Sequence, residues 1–392
     1  MPPPPLIRAL PGPTALHPVV PSALQEAVSS GLGSEPHRGA RARREIASTA
    51  EALRALLGIP EDHHILHLGS ATEAMERIAA GVLPTLRTPG ARSSLHLVAG
   101  AFAQRFLQVA RALDRPALAS RRPEGRGFDA RTALEIPPDA PRGAGEPPAL
   151  VALCQNETST GARTPPTVVD TLARRARGLG ALVAVDLVSG WPSESVDPSL
   201  LDAAFFSVQK GFGMPAGLGV LVASPALVEA ARRQRGAGLP IGGWIDLEVL
   251  ARRATRHETA VTPNLLLIAV LGRVAEAYLE EGREALAARM EARARHLRDA
   301  VRRAPLLRPV VPDSLEAERS RTILALEGSR GQSLAPVRQA LLEEGIQVAA
   351  GYGEGADARI RIANYPSLSD AEMETVAEGI PKAAERAAGG AE

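Results

Sequence analysis

The chain has lysine at only two positions, Lys210 and Lys382, against 43 arginines. A guanidinium stays protonated in proteins, whereas a desolvated lysine amine can lose its proton and attack an aldehyde, so arginine cannot replace lysine in that role. The bias itself belongs to a composition rich in Ala, Gly and Pro and proves nothing alone. The surroundings of the two lysines separate them. Lys210 lies in the run Ser207-Val208-Gln209-Lys210-Gly211-Phe212-Gly213-Met214-Pro215-Ala216-Gly217, a glycine-rich loop that follows the apolar stretch AAFFSVQ. A lysine there is expected to be partly desolvated, with a lowered pKa. Lys382 lies among Ala, Glu and Arg on an exposed-looking terminal helix. The contrast favours Lys210 as the chemical lysine.

Three further motifs end apolar runs in the same way. Gly69-Ser70-Ala71-Thr72-Glu73 follows HHILHL, and its S-x-x-E pattern predicts that Ser70 caps a helix starting at Ala71. A helix N-terminus at a strand end offers unpaired N–H groups and a favourable dipole to an anion such as phosphate. Asn156-Glu157-Thr158-Ser159-Thr160-Gly161 follows PALVALC and reads either as a ligand-facing turn or as an ordinary Asx or Ser/Thr turn. Asp186 closes ALVAVD, where its carboxylate can cap the next segment or hold a cation. Together, an anion-binding helix start, a polar turn, a strand-end aspartate and a lysine 24 residues later match the needs of pyridoxal phosphate. Its phosphate wants helix N–H groups, its pyridinium nitrogen a carboxylate, and its aldehyde an amine.

The elements that must carry these residues alternate. From about residue 60 to 225, short apolar runs alternate with longer helical stretches, which predicts an α/β fold with a mostly parallel sheet covered by helices on both faces. Ligands of such sheets bind at the carboxyl ends of the strands. Residues 115–147, rich in Arg, Pro and Gly, read as irregular excursions outside the core with one short strand near Gly127 to Asp129. Long helical periodicity follows from Asn264 to about Arg303. After it come the strand candidates ERSRTILALEG, GIQVAAG and ARIRIAN, a second, α+β unit. The expected division is 1–20 as an N-terminal segment packing on the small domain, 21–262 as the large domain and 263–392 as the small one.

Composition narrows the function classes. A formal net charge of +1 gives no electrostatic case for nucleic acid or an anionic membrane. One cysteine, Cys154, excludes an internal disulfide framework and a cysteine zinc cluster, and suggests a reducing compartment. Inside its strand it reads as a buried small hydrophobe. His63, His64 and His67 lack metal-like spacing with a carboxylate, so no metal is expected. No signal segment or membrane span is apparent, and a cytoplasmic protein is the expectation.

The chain closely resembles the class V pyridoxal-phosphate-dependent aminotransferases, and within them the phosphoserine aminotransferase-like branch. The resemblance rests on PGPT at 11–14, HR at 37–38, GSATEA at 69–74, GAF at 100–102, NETSTG at 156–161, the Asp of VDLVSG, SVQKGFGMPAGLG at 207–219, TPN at 262–264 and RIANYPS at 361–367. It implies a fold-type-I transferase in which Lys210 is the Schiff-base lysine and Asp186 the partner of the pyridinium nitrogen. It further implies that Phe102 lies on the ring face and Thr158 bonds the ring's 3-oxygen. Ser70, Ala71, Thr72, Ser207 and Gln209 would hold the phosphate. Thr262 would reach the phosphate in the neighbouring subunit, so a homodimer with sites at the subunit interface is implied. Arg361 corresponds to the residue for the substrate α-carboxylate, with Arg359 two residues away on the same strand face as the competing assignment. His37 and Arg38 correspond to a pair that reaches across the dimer to a substrate phosphate.

The implied reaction is transamination between an amino acid and a 2-oxo acid, first phosphoserine with 2-oxoglutarate in L-serine biosynthesis. An alanine or serine:glyoxylate aminotransferase is the alternative, and a non-catalytic partner protein that binds pyridoxal phosphate the further one.

Overall fold

The computed structural model describes residues 6–136, 147–239, 241, 246–353 and 356–389. Residues 1–5 of the expected N-terminal segment, part of the 115–147 stretch and the last residues of the chain lie outside them.

Among the described residues, seven strands form the main sheet: β1 (His64–Leu68), β2 (Ser94–Val98), β3 (Ala117–Arg121), β4 (Leu150–Cys154), β5 (Leu182–Asp186), β6 (Ala203–Ser207) and β7 (Gly219–Ala223), in the order β1-β7-β6-β5-β4-β2-β3. Five of them, from β6 to β3, run parallel, while β7 is antiparallel to both of its neighbours. Successive residues of a strand point to opposite faces, and both faces are apolar here. Val183, Val185, Phe206 and Val220 join one core with the helices Ala40–Leu57, Pro166–Gly178 and Leu265–Glu281. Ala184, Phe205 and Leu221 join the other with α1 (Ala71–Val82), α2 (Ala101–Ala112) and the helix Pro225–Gly236. Burial on both faces is why these strands read as continuous hydrophobic runs.

The stretch 115–147 departs from expectation. Residues 127–129 form no strand, whereas Ala117–Arg121 does, as the edge of the main sheet beside β2. Phe128, Ala133 and Leu134 are buried in the large core, so the segment is partly core. The sequence ALASR hides β3 because an edge strand needs a partner on one side only and carries few apolar residues.

The small domain holds four antiparallel strands, β8 (Leu307–Pro309), β9 (Ile323–Gly328), β10 (Ala349–Ala350) and β11 (Arg359–Ala363), in the order β8-β9-β11-β10. Their apolar face packs with Val337, Leu341, Val376 and Ile380 of two helices. The break between cores lies later than the expected 262/263 boundary. Leu265, Ile268, Leu271, Val274 and Tyr278 belong to the large core, and Thr49 Oγ1 donates to the Ile268 carbonyl at 2.9 Å. Helical spacing reveals an apolar stripe but not which core the stripe faces. The next helix, Arg283–Arg302, starts in the large core with Leu286 and ends in the small one with Leu297 and Val301.

The N-terminal segment touches both units. Ile7 and Arg8 pair in parallel with Ile346 and Gln347, and the Ala363 N–H donates to the Ala9 carbonyl at 2.9 Å. Further on, the Thr14 N–H donates to the Gln209 carbonyl at 3.2 Å and the His17 N–H to the Gly213 carbonyl at 2.7 Å. Between them Gly12 (φ +131°) lies against Lys210, where a Cβ would come within 2.9 Å of the lysine Cγ. Only a glycine accommodates both that backbone angle and that approach.

Candidate active site

The parallel strands end together. Cys154 on β4 stands beside Asp186 on β5, and Asp186 beside Phe205 on β6, so the chain leaving each strand enters one cavity at the sheet's carboxyl edge. Ser70, Ala71 and Thr72 at the start of α1, Phe102 on α2, Thr158, Asp186, Ser207, Gln209 and Lys210 all line it. Nine of the ten expected cofactor residues therefore converge. The tenth, Thr262, does not line the cavity.

The helix start is built as its sequence predicts. Ser70 Oγ accepts from the Glu73 N–H at 3.1 Å, and Glu73 Oε2 accepts from the Gly69 N–H at 2.6 Å. Ser207 Oγ accepts from the Ala71 N–H at 2.9 Å, which ties the helix start to the end of β6. Thr72 is exposed at the cavity, so the first turn of α1, its Ala71 and Glu73 N–H groups already bonded, turns the Thr72 N–H and its positive dipole end toward an anion.

On the sheet side, Asp186 is buried and its Oδ1 accepts from the Val188 N–H at 2.9 Å. Burial pushes its carboxyl up to about 7, because a charged carboxylate without water is disfavoured. Lys210 is 9% exposed, and burial lowers its amine pKa against the opposing pull of Asp186. Its Nζ lies 4.7 Å from the Phe102 ring centroid. Thr158 Oγ1 donates to Ser189 Oγ at 2.9 Å, and Ser189 Oγ in turn to the Asn156 carbonyl at 2.8 Å. A desolvated amine, a buried carboxyl, a covering ring and a helix N-terminus facing the cavity are the set that pyridoxal phosphate requires, and the residues fit it.

Cys154 is half-buried on the cavity wall, and its thiol donates to the Asn156 carbonyl at 3.4 Å. Burial and the nearby carboxyls of Asp186 and Glu157 push the thiol well above its ordinary range, so it stays protonated and is a poor nucleophile. Among the described residues no His, Cys, Asp or Glu cluster could hold a metal.

Arg361 and Arg359 part company in their partners. Arg359 pairs with Glu124 at 2.6 Å and Glu327 at 3.5 Å. Arg361, 8% exposed, donates only to the carbonyls of Ala350, Gly351 and Thr158, at 2.9, 3.3 and 3.4 Å, so no protein carboxylate neutralises it among the described residues. His37, Arg38 and Thr262 lie apart from the cavity of their own chain. Thr262 is exposed, and its Oγ1 meets His37 Nδ1 at 3.5 Å although 225 residues separate them.

Two features escape the sequence. Glu157 is buried, and its carboxylate accepts from the N–H groups of Phe102, Ala103 and Ser159 and from Ser159 Oγ. It thereby caps the helix that carries Phe102, and Gly100 leaves it room, since a Cβ there would collide with Glu157. Replacing Glu157 by alanine is expected to lower stability by about 2–3 kcal/mol, read as a fall in Tm, because several buried donors lose their acceptor at once. The other is Tyr352 with Arg105, which line or adjoin the cavity without any local motif.

The strand-end lysine and aspartate, with a helix N-terminus at the same cavity of a mostly parallel, two-faced sheet, define a pyridoxal-phosphate-dependent transferase of fold type I. The model of the family "Aminotransferase class-V" matches residues 132–359, and the chain belongs to that family of pyridoxal-phosphate-dependent aminotransferases. The chain is similar to a putative phosphoserine aminotransferase of Mycobacterium leprae, 25% identical over 96% of this chain and 93% of that one. It is also similar to the phosphoserine aminotransferase of Corynebacterium glutamicum, 26% identical over 94% and 92% of the two chains. Among solved structures, the phosphoserine aminotransferase from Cytophaga hutchinsonii superposes with a TM-score of 0.86 at 28% identity, covering 96% of this chain and 98% of that one.

Proposed function

We propose that this aminotransferase takes phosphoserine as amino donor and 2-oxoglutarate as acceptor, in L-serine biosynthesis. The observation that carries the reading is the meeting of His37 and Thr262 on the surface, with Arg38 exposed beside them. A cationic, hydrogen-bonding patch outside its own cavity suits a homodimer in which each chain completes its partner's site at a phosphate. The names of the relatives point the same way.

When bound, pyridoxal phosphate supplies an aldehyde for amine exchange and a protonated ring that withdraws electrons from the substrate Cα. The protein's part follows from its residues. Lys210 would be the covalent attachment point, and its amine would also serve as general acid and base for the proton of the donor Cα. Asp186 would hold the proton on the ring nitrogen, Thr158 would bond the 3-oxygen and Phe102 would cover the ring. Ser70, Ala71, Thr72, Ser207 and Gln209 form the phosphate cradle, joined by the partner's Thr262. Arg361 grips the α-carboxylate in a bidentate fork, which aligns the Cα–H bond for abstraction. The free Cys154 accords with a cytoplasmic location, and the division into a cofactor-binding unit and a carboxylate-gripping one falls along the helix Arg283–Arg302, where the cores change.

The test is the half-reaction. Phosphoserine should bleach the visible band of the purified enzyme about 100-fold faster than alanine or serine, and Arg38→Ala should remove about 10-fold or more of that preference. Equal or faster bleaching by alanine or serine would overturn the substrate assignment, and no bleaching by any donor would favour a non-catalytic protein.

A further inference from the structure

Phe102 and Arg105 stand one turn apart on α2 and therefore share a face, and both line the cavity that holds Lys210. Tyr352, just beyond β10, reaches across from the small domain to meet them. Its ring centroid lies 5.0 Å from that of Phe102, and its hydroxyl accepts from Arg105 Nη2 at 2.8 Å. On the same ring, the Arg361 guanidinium carbon sits 5.6 Å from the centroid. One aromatic ring thus spaces two guanidinium groups, one bound to carbonyls deep in the site and one at the cavity mouth.

Arg105 combines a place on the cavity wall with the lack of an acidic partner. No carboxylate pairs with it among the described residues, whereas Arg359 on the small domain is held by two. Its one partner among the described residues is a neutral phenol, which orients the planar fork without cancelling its charge. A cation left unpaired at a ligand cavity retains its full attraction for an incoming anion.

We propose that Arg105 is a same-subunit specificity residue that reads an anionic group, phosphate or carboxylate, on the side chain of the amino donor, with Tyr352 as its positioning residue. The proposal rests on the aminotransferase reading of the site, and it concerns any donor with an anionic side chain.

The experiment compares kcat/KM for phosphoserine, aspartate, glutamate and alanine in wild type, Arg105→Ala, Arg105→Lys and Tyr352→Phe. Calorimetric binding of 3-phosphoglycerate and glycerate, which lack an amine, gives a readout without turnover. Arg105→Ala should lose about 10- to 100-fold for the anionic donors and for 3-phosphoglycerate, and about 3-fold or less for alanine and glycerate. Arg105→Lys should recover part of that loss. Tyr352→Phe should raise KM for the anionic donors about 3- to 10-fold at unchanged kcat, as for loss of uniform binding. Equal losses across all ligands, or none, would overturn the role of Arg105, and an unchanged KM in Tyr352→Phe would overturn that of Tyr352. A wild type indifferent to phosphoserine yet sensitive at Arg105 for aspartate or glutamate would sink the phosphoserine assignment and leave this inference standing.

Discussion

Lys210→Ala is expected to reduce turnover by a factor on the order of 10⁴ or more, because the proposed mechanism gives one amine both roles, attachment point and proton carrier. The composition makes this an unusually clean experiment. With lysine at only two positions, borohydride reduction of the protein loaded with pyridoxal phosphate, followed by peptide mapping, has two candidate side chains to label. Lys382 is solvent-exposed and pairs with Glu378 at 3.7 Å one helical turn away, whereas Lys210 is buried beside Asp186. The label should fall on Lys210 alone and vanish in the alanine variant. Since burial depresses the Lys210 pKa, its amine is neutral at lower pH than a free lysine. Capture of added cofactor by the stripped protein should slow as the pH falls through that depressed value. Label on Lys382, or near-normal turnover without Lys210, would remove the basis of the site.

Asp186→Asn should divide the protein's behaviour in two. With cofactor bound, turnover should fall by about 10²–10³-fold, since an opposite charge at hydrogen-bonding distance holds a proton on its partner by about 1–3 pKa units. Without cofactor, the same change should relieve the fold. The Asp186 pKa is raised by folding from 3.8 to about 7, so the folded state binds more protons than the unfolded one between those values. Its favourable contribution is then complete below pH 4 and is lost as the pH rises through about 7, leaving a cost of up to about 4 kcal/mol at 1.36 kcal/mol per pKa unit. Stripped wild type should therefore lose stability between pH 4 and 7 relative to stripped Asp186→Asn, measured by urea midpoints across that range. A cofactor-free variant with the wild-type pH slope would show that the carboxyl is not held neutral by burial.

What the sequence revealed was whatever depends on near neighbours. Ser70 and Glu73 announce a cap because the capping groups are three residues apart, and Lys210 and Asp186 stand out because each directly follows an apolar strand. The rest depends on partners far along the chain. Glu157 caps a helix more than fifty residues before it, and Tyr352 meets Arg105 across 247 positions, so neither leaves a local signal. Arg359 and Arg361 share a strand face and cannot be told apart by spacing. In the fold they differ by who occupies them, carboxylates in one case and carbonyl oxygens in the other. The strand at Ala117–Arg121 and the allegiance of the helix Leu265–Glu281 were illegible for a related reason, since an edge position and a choice of core are facts of assembly rather than of periodicity.

The N-terminal segment sets a condition on when the site can exist. Ile7 pairs with Ile346, Ala9 with Ala363, and between these anchors and Thr14 the backbone of Gly12 closes over the stem of Lys210. The segment from Ile7 to Ala9 thus cannot be seated until residues 346 to 363 have been made. The large sheet has all its strands by residue 223 and can collapse early, as domains do during synthesis, but the wall behind the reactive amine arrives last. A nascent chain stalled ahead of β11 would carry Lys210, Asp186 and the helix turn and still lack the strand that seats the segment over the lysine, so the amine's environment is completed only once β11 has been made.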